Sequence, residues 1–254
     1  MMQSDRSAFW FWQEVSTKST DAVLKPIATH IVGWMHYLGR GTQLDKQKGI
    51  KIIRENSTNE FKLGEDECLA GGTGCSSNSP AACKFFDLCQ QGSDRDWLCR
   101  HLMAVCLFLG FGTTQDRKKA VSIFEQLANK GHSDSRLWIG KCFMGIEEVP
   151  EDLRKAFEWF FKSATEGNPY GQWMVGECFS NGWGVTKDIA KAFEWYGKSA
   201  ENGNRSGQFY VGCCYEFETG VSKNLDTAIF WYRKSAKQGY QVAINSLKYL
   251  GKWP

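Results

Sequence analysis

No stretch of this 254-residue chain is long and apolar enough to read as a membrane-spanning helix. The longest nearly uncharged run, Leu102 to Gly112, covers roughly half of the about 20 residues that a bilayer requires. The apolar region of an export signal is missing too. The tetrad Phe9-Trp10-Phe11-Trp12 follows Asp5 and Arg6 and precedes Glu14, and it is too short for one. A cytoplasmic protein with no direct membrane span is therefore the expectation. An excess of one charge is also lacking: 31 Lys and Arg face 28 Asp and Glu, a net +3. That removes the electrostatic case for a nucleic-acid partner. What the chain does have is 42% hydrophobic residues and ten cysteines. The first supports a substantial core and excludes compositional disorder. The second, without an export signal, reads as reduced thiols.

Catalytic and cofactor motifs are absent as well. There is no nucleophile elbow and no phosphate-binding loop, and the Gly-x-Gly pairs recur as turns rather than opening a dinucleotide-binding unit. His30, His36, His101 and His132 show no metal-ligand spacing and read as surface or packed side chains. Cys68, Cys75, Cys83 and Cys89 lie close in sequence, but they lack the short C-x₂₋₄-C pair of structural zinc sites. A labile disulfide between Cys75 and Cys83, which flank a loop, is a minor alternative. No metal, cofactor or catalytic residue is expected.

What is present is a period of 36. Ala120, Ala156, Ala192 and Ala228 keep that step, as do Gly131, Gly167, Gly203 and Gly239, Gly140, Gly176 and Gly212, and Trp159, Trp195 and Trp231. Such self-similarity is the mark of a repeat architecture. From Tyr170 the unit reads as a helix through Ser180, a turn at Asn181-Gly182-Trp183-Gly184-Val185, and a second helix from Asp188 to about Asn202, one αα-hairpin. Gly203 stands where a left-handed cap is expected. A helix pair cannot bury its apolar face alone, so pairs stack and each core position recurs once per repeat. The glycine column at 140, 176 and 212 and the alanine column mark where helix axes come closest, with Trp195-Tyr196 filling the adjoining volume.

Earlier copies are found from their turns: Gly39-Arg40-Gly41 with Asp45 and Lys48, Gly72-Thr73-Gly74 with Ala82 and Phe85-Phe86, and Gly110-Phe111-Gly112 with Asp116, Lys119 and Ala120. In the fourth, Ile146 to Glu148 replace the glycines; the sixth keeps Gly220. Cys68, Cys106, Cys142, Cys178 and Cys214, with Met35 in the first repeat, form one column four residues before the turn. A repeated cysteine is a packing cysteine. The fold expected is all-α, a solenoid of about six helix–turn–helix repeats over residues 25–254, degenerate before 95 and clearest over 132–238. A C-terminal capping helix over 240–250 carries Val242, Ala243, Leu247 and Leu250. Residues 1–24 do not fit the repeat, and their aromatic tetrad is expected to cover the opposite end of the stack.

The run Gly171-Gln172, Val175-Gly176, Cys178-Phe179, Asn181 to Val185, Lys187-Asp188, Lys191-Ala192, Trp195-Tyr196, Lys198-Ser199-Ala200 and Asn202-Gly203 resembles the SEL-1-like repeat family, relatives of the tetratricopeptide repeat. The Cys-Phe and Cys-Tyr pairs and the Lys-Ser-Ala run are most similar to fungal members. The resemblance implies a right-handed superhelix whose first helices line a concave face, and the role of an adaptor that binds a protein partner. By analogy with tetratricopeptide repeats, the residues facing that groove are Lys141, Met144, Tyr170, Trp173, Glu177, Ser180, Phe209 and Glu216. Two alternatives come with the family: a hydrolase of the bacterial cysteine-rich type, or a regulatory subunit in a kinase-linked complex. Those bacterial members pair two cysteines per repeat. Here the column is single, with Pro150 and Thr186 eight residues after Cys142 and Cys178.

Overall fold

The computed structural model describes residues 2–58, 61–64, 69, 77–145 and 150–253. Cys68, Cys75, the second turn at 72–74 and the fourth at 146–148 lie outside them. Thirteen helices and no multi-residue strand are present among the described residues: α1 (Met2–Lys18), α2 (Leu24–Leu38), α3 (Lys46–Glu55), α4 (Pro80–Gly92), α5 (Trp97–Leu109), α6 (Arg117–Asn129), α7 (Ser133–Cys142), α8 (Leu153–Thr165), α9 (Pro169–Asn181), α10 (Ile189–Glu201), α11 (Arg205–Phe217), α12 (Leu225–Lys237) and α13 (Gln241–Tyr249). They form two compact units, residues 1–127 and 128–254.

Local chemistry sets the helix ends. The residues one step before the second helices accept the N–H three residues on: Asp116 from Lys119, Asp152 from Lys155, Asp188 from Lys191 and Asn224 from Thr227, at 2.9–3.0 Å. Asn168 and Asn204 cap the first helices α9 and α11 in the same way. Each such cap is worth about 1 kcal/mol, because it satisfies an N–H that the helix leaves without a partner.

In the second unit one set of contacts recurs with the repeat. Ser163, Ser199 and Ser235 donate from Oγ to the carbonyls of Ser133, Pro169 and Arg205, each thirty residues earlier, at 2.8, 2.6 and 2.7 Å. These buried bonds tie the end of each second helix to the start of its own first helix. Gln172 and Gln208 reach back eight residues to the carbonyls of Ala164 and Ala200. Between them lies the closest approach. A Cβ at Gly140, Gly176 or Gly212 would stand 2.6, 2.5 and 2.6 Å from the ring of Phe160, Tyr196 or Tyr232. The alanines at 156, 192 and 228 are buried beside those rings. Of the expected pair Trp195-Tyr196, only Tyr196 fills this core. Trp195 is half-buried on the outer side, its ring 5.6 Å from Phe161 and covered by the Lys198 ammonium at 4.0 Å.

The cysteine column is interior: Cys106, Cys142, Cys178 and Cys214 are buried, as is Met35. In the first unit His30, His36 and His101 are buried too. His30 Nε2 accepts from Trp34 Nε1 at 3.2 Å, and its ring stands 5.3 Å from both Phe61 and Phe85. His132 is half-buried.

At the C-terminus, Ala243 and Leu247 of α13 are buried against Ala228, Tyr232 and Ala236, with Leu250 and Trp253 alongside. Val242, expected with them, points outward and is 47% exposed.

The N-terminus departs from the sequence reading. Helix α1 is packed as the second helix of a repeat. In the second unit a Cβ at Gly184 would meet the carbonyl oxygen of Leu153, the first residue of the preceding second helix, at 2.0 Å. At Gly41 it would meet the carbonyl oxygen of Asp5 at 2.1 Å. Phe157 meets Phe179 and Phe193 meets Tyr215 edge-on, at 5.5 and 5.6 Å; Phe9 meets His36 in the same manner at 5.3 Å. With Asp5 matched to Leu153, Ala8-Phe9-Trp10-Phe11-Trp12 aligns with Ala156-Phe157-Glu158-Trp159-Phe160. Ala8, Phe9 and Trp12 thus stand at second-helix packing positions. Phe9 is buried against Val32 and Met35, whereas Trp10 and Phe11 are 64% and 58% exposed.

Candidate functional site

The first helices of the second unit, α7, α9 and α11, present side chains that the core does not consume. Their foundation is the aromatic column of the second helices. Where the fourth repeat has Phe160, the next two have Tyr196 and Tyr232, and a phenol in a buried column must find a partner for its hydroxyl. Tyr196 donates to Glu177 Oε1 at 2.6 Å, with Ser180 beside the same hydroxyl. Tyr232 donates to Glu216 Oε2 at 2.6 Å, and Cys213 Sγ lies 3.4 Å away. Since Cys213 is one step beyond Glu177 and Glu216 one step beyond Ser180, the carboxylate changes place between repeats while the hydroxyl stays.

On this base sits an aromatic shelf. Tyr210 stacks on Tyr196 at 4.9 Å and 17°, and Trp173 lies 6.4 Å from Tyr210. The Lys141 ammonium covers Trp173 at 5.7 Å. Phe209 continues the shelf, 5.5 Å from Tyr210, 5.4 Å from Tyr232 and 5.5 Å from Tyr240, whose ring faces the Arg205 guanidinium at 5.7 Å. Trp173, Phe209, Tyr210 and Tyr240 are all half-buried, which leaves part of each ring for a ligand.

Burial governs the titratable groups of this face. Burial raises the Glu177 carboxyl above the usual range, against the opposing pull of the Tyr196 hydroxyl and the Lys141 charge. The thiols of Cys178 and Cys213 are pushed up by burial to about 12 and about 11. At neutral pH they stay protonated, and a protonated thiol is a poor nucleophile. The groups on offer are ring faces, two cations over rings, and hydrogen-bonded carboxylates.

Six of the eight residues singled out from the sequence thus meet on one shelf: Lys141, Trp173, Glu177, Ser180, Phe209 and Glu216. Tyr170 does not, being 2% exposed within the packing. Met144 lies past the end of α7, in a turn closed by its N–H on the Lys141 carbonyl at 3.1 Å. Four tyrosines, 196, 210, 232 and 240, were missed. The Phe-to-Tyr change in a buried column, matched with an acid on the facing helix, was the signal for two of them.

The Sel1 repeat family model matches residues 26–52, 60–88, 98–132, 134–168, 169–204 and 205–240. Among solved structures, the chain is similar to a Sel1 repeat protein from Oxalobacter formigenes, with 19% identity, 96% of this chain and 84% of that one covered, and a TM-score of 0.61. It is also similar to a protective antigen of uropathogenic Escherichia coli strains displaying an SLR fold (22% identity, 97% and 68% covered, TM-score 0.41). A third is the Helicobacter pylori cysteine rich protein B (22% identity, 52% and 98% covered, TM-score 0.44). The first likeness is one of fold; the other two are too distant in shape to add to it. No curated protein matches the sequence.

Proposed function

Because the chain belongs to the Sel1 repeat family, we propose that it is an interaction module whose first-helix shelf in the second unit takes a peptide segment of a partner protein. Sel1 repeats generally mediate protein–protein interaction, and the fold typically serves as a scaffold rather than an enzyme. Fold alone does not choose the partner, so the reading rests on the shelf. Its single strongest support is the half-buried run Trp173, Tyr210, Phe209 and Tyr240, with Lys141 over its first ring and Arg205 over its last. Aromatic side chains partly open to solvent, with a cation at each end of the row, suit a segment that offers one apolar anchor and flanking charges.

The outer face offers another aromatic row, but its rings are already engaged. Lys162, Lys198 and Lys234 cover Trp159, Trp195 and Trp231 at 4.2, 4.0 and 4.7 Å. A ligand there would have to displace a cation at each step, whereas on the shelf Phe209 and Tyr210 lie between the two covered rings, Trp173 and Tyr240.

The test is peptide display on the full chain, followed by affinity measurement of the selected peptides. The expected result is a consensus with one bulky apolar residue, bound at least tenfold more weakly by Trp173→Ala/Phe209→Ala of unchanged helicity. Equal affinity in that variant removes the shelf from the account. Kinase sequences among the native partners would narrow the reading to kinase-linked regulation.

A further inference from the structure

The first unit holds a cavity of about 210 Å³ on the face of α1 that carries Ala8 and Trp12. In the second unit the matching face, Ala156 with Phe160 or Ala192 with Tyr196, packs so tightly on a first helix that only glycine fits opposite the ring. On α1 the same face is met by Ile31, Trp34 and Met35 of α2, and by side chains such as Phe85, Leu88 and Leu102 of α4 and α5. Ile31, Trp34 and Met35 stand at the repeat positions of Met174, Glu177 and Cys178. The carboxylate that serves the shelf in the second unit is therefore replaced here by an indole, and the space is apolar.

The polar groups at the cavity are engaged with one another. Arg40 Nη2 bonds Asp5 Oδ1 at 3.2 Å, and its Nη1 bonds Asp96 at 3.0 and 2.7 Å. This pairing pins the start of α1 to the cap of α5. The Cys99 thiol is pushed up to about 11 by burial and by Asp96, and stays neutral. One guanidinium between two carboxylates leaves a net negative charge, which opposes an anion. The aliphatic and aromatic walls offer dispersion contact and the hydrophobic effect.

We propose that this cavity is a binding site for a neutral apolar molecule of one or two fused rings. The size follows from the volume: a dry apolar cavity of roughly 150 Å³ accommodates benzene, and the present one, at about 210 Å³, adds room for the few further carbons of a fused ring. Ile31, Trp12 and Leu88 are only half-buried, so the lining reaches the surface and entry does not require the core to open. The site is separate from the peptide shelf, and neither depends on the other.

Methyl resonances of the methionines provide the test, on the full chain titrated with naphthalene and with naphthalene-2-sulfonate. Met35 lines the cavity; Met103, Met144 and Met174 do not. The expected result is a saturable shift of Met35 with naphthalene and binding at least tenfold weaker for the sulfonate. Ala8→Phe, which fills the space, should weaken naphthalene binding at least tenfold with helicity unchanged. If that variant does not fold, the wild-type comparison of Met35 with the other three methionines decides. The proposal is overturned by no saturable shift at Met35, by equal shifts at all four methyls, by equal binding of the sulfonate, or by unchanged affinity in folded Ala8→Phe.

Discussion

Two glycines of one turn, both left-handed, should respond very differently to a single methyl group. Gly182 has φ +78° and Gly184 has φ +69°, so alanine at either is strained by about 1–2 kcal/mol. Around Gly182 the nearest atom to a new Cβ is 3.6 Å away, at Lys187, which is ordinary contact. At Gly184 it would lie 2.0 Å from the Leu153 carbonyl oxygen and 2.8 Å from Arg154 Cα. Backbone on both sides must move, and overpacking of that kind adds about 1–3 kcal/mol. Gly182→Ala should therefore cost about 1–2 kcal/mol and Gly184→Ala about 2–5. In urea unfolding followed by circular dichroism, that gap separates the two midpoints by on the order of 1 M at unchanged slope. Gly41→Ala, facing the Asp5 carbonyl at 2.1 Å with φ +70°, should fall with Gly184→Ala, because α1 occupies the place of a second helix. Equal costs at 182 and 184 would refute the stacking geometry. A mild cost at 41 would refute the assignment of α1.

Acid should loosen the first unit through His30, whose imidazole burial pushes from 6.5 down to about 3. The unfolded chain then binds the extra proton between those values, so stability is full above about 6.5 and falls with pH, by about 2 kcal/mol from pH 7 to 5. His30→Phe should lessen that dependence in urea midpoints taken at both pH values, with part retained by His36, whose imidazole burial also lowers; an unchanged slope would contradict it. Ala192→Trp, in the buried alanine column beside Tyr196, should cost about 1–3 kcal/mol or more by overpacking, and lower the melting temperature sharply. An unchanged melting curve would count against close approach at that column.

The parts of the fold that were legible in the sequence are those where the stack admits one kind of residue. Only glycine fits opposite the ring at 176, only a small side chain at 192, and a small thiol suits 178, so each recurs every 36 residues. The expected kinship with fungal members does not follow from those residues: Cys178, Phe179, Ser199 and Ala200 are buried, and such residues report packing rather than origin. Helix α1 escaped notice because no Gly-x-Gly turn precedes it to announce the register, although Ala8 to Trp12 repeats the residue classes of Ala156 to Phe160 at four of five places. The shelf was half legible. A 36-residue frame gives the direction of a helix position but not how far a neighbour covers it, so Tyr170, in register with a groove, is sealed by packing. Tyr196 and Tyr232 were hidden for the opposite reason, their rings being interior while their hydroxyls reach carboxylates of the first helices.

The central claim is that a partner segment lies on the first-helix shelf of the second unit. Photo-crosslinking tests it directly, with p-benzoylphenylalanine placed in the full chain at Phe209 on the shelf or at Phe230, 52% exposed on the second helix α12. The account predicts a discrete adduct from position 209, shared with a probe at Trp173 and absent from position 230. An adduct from 230 alone, or the same adducts from both, would contradict it.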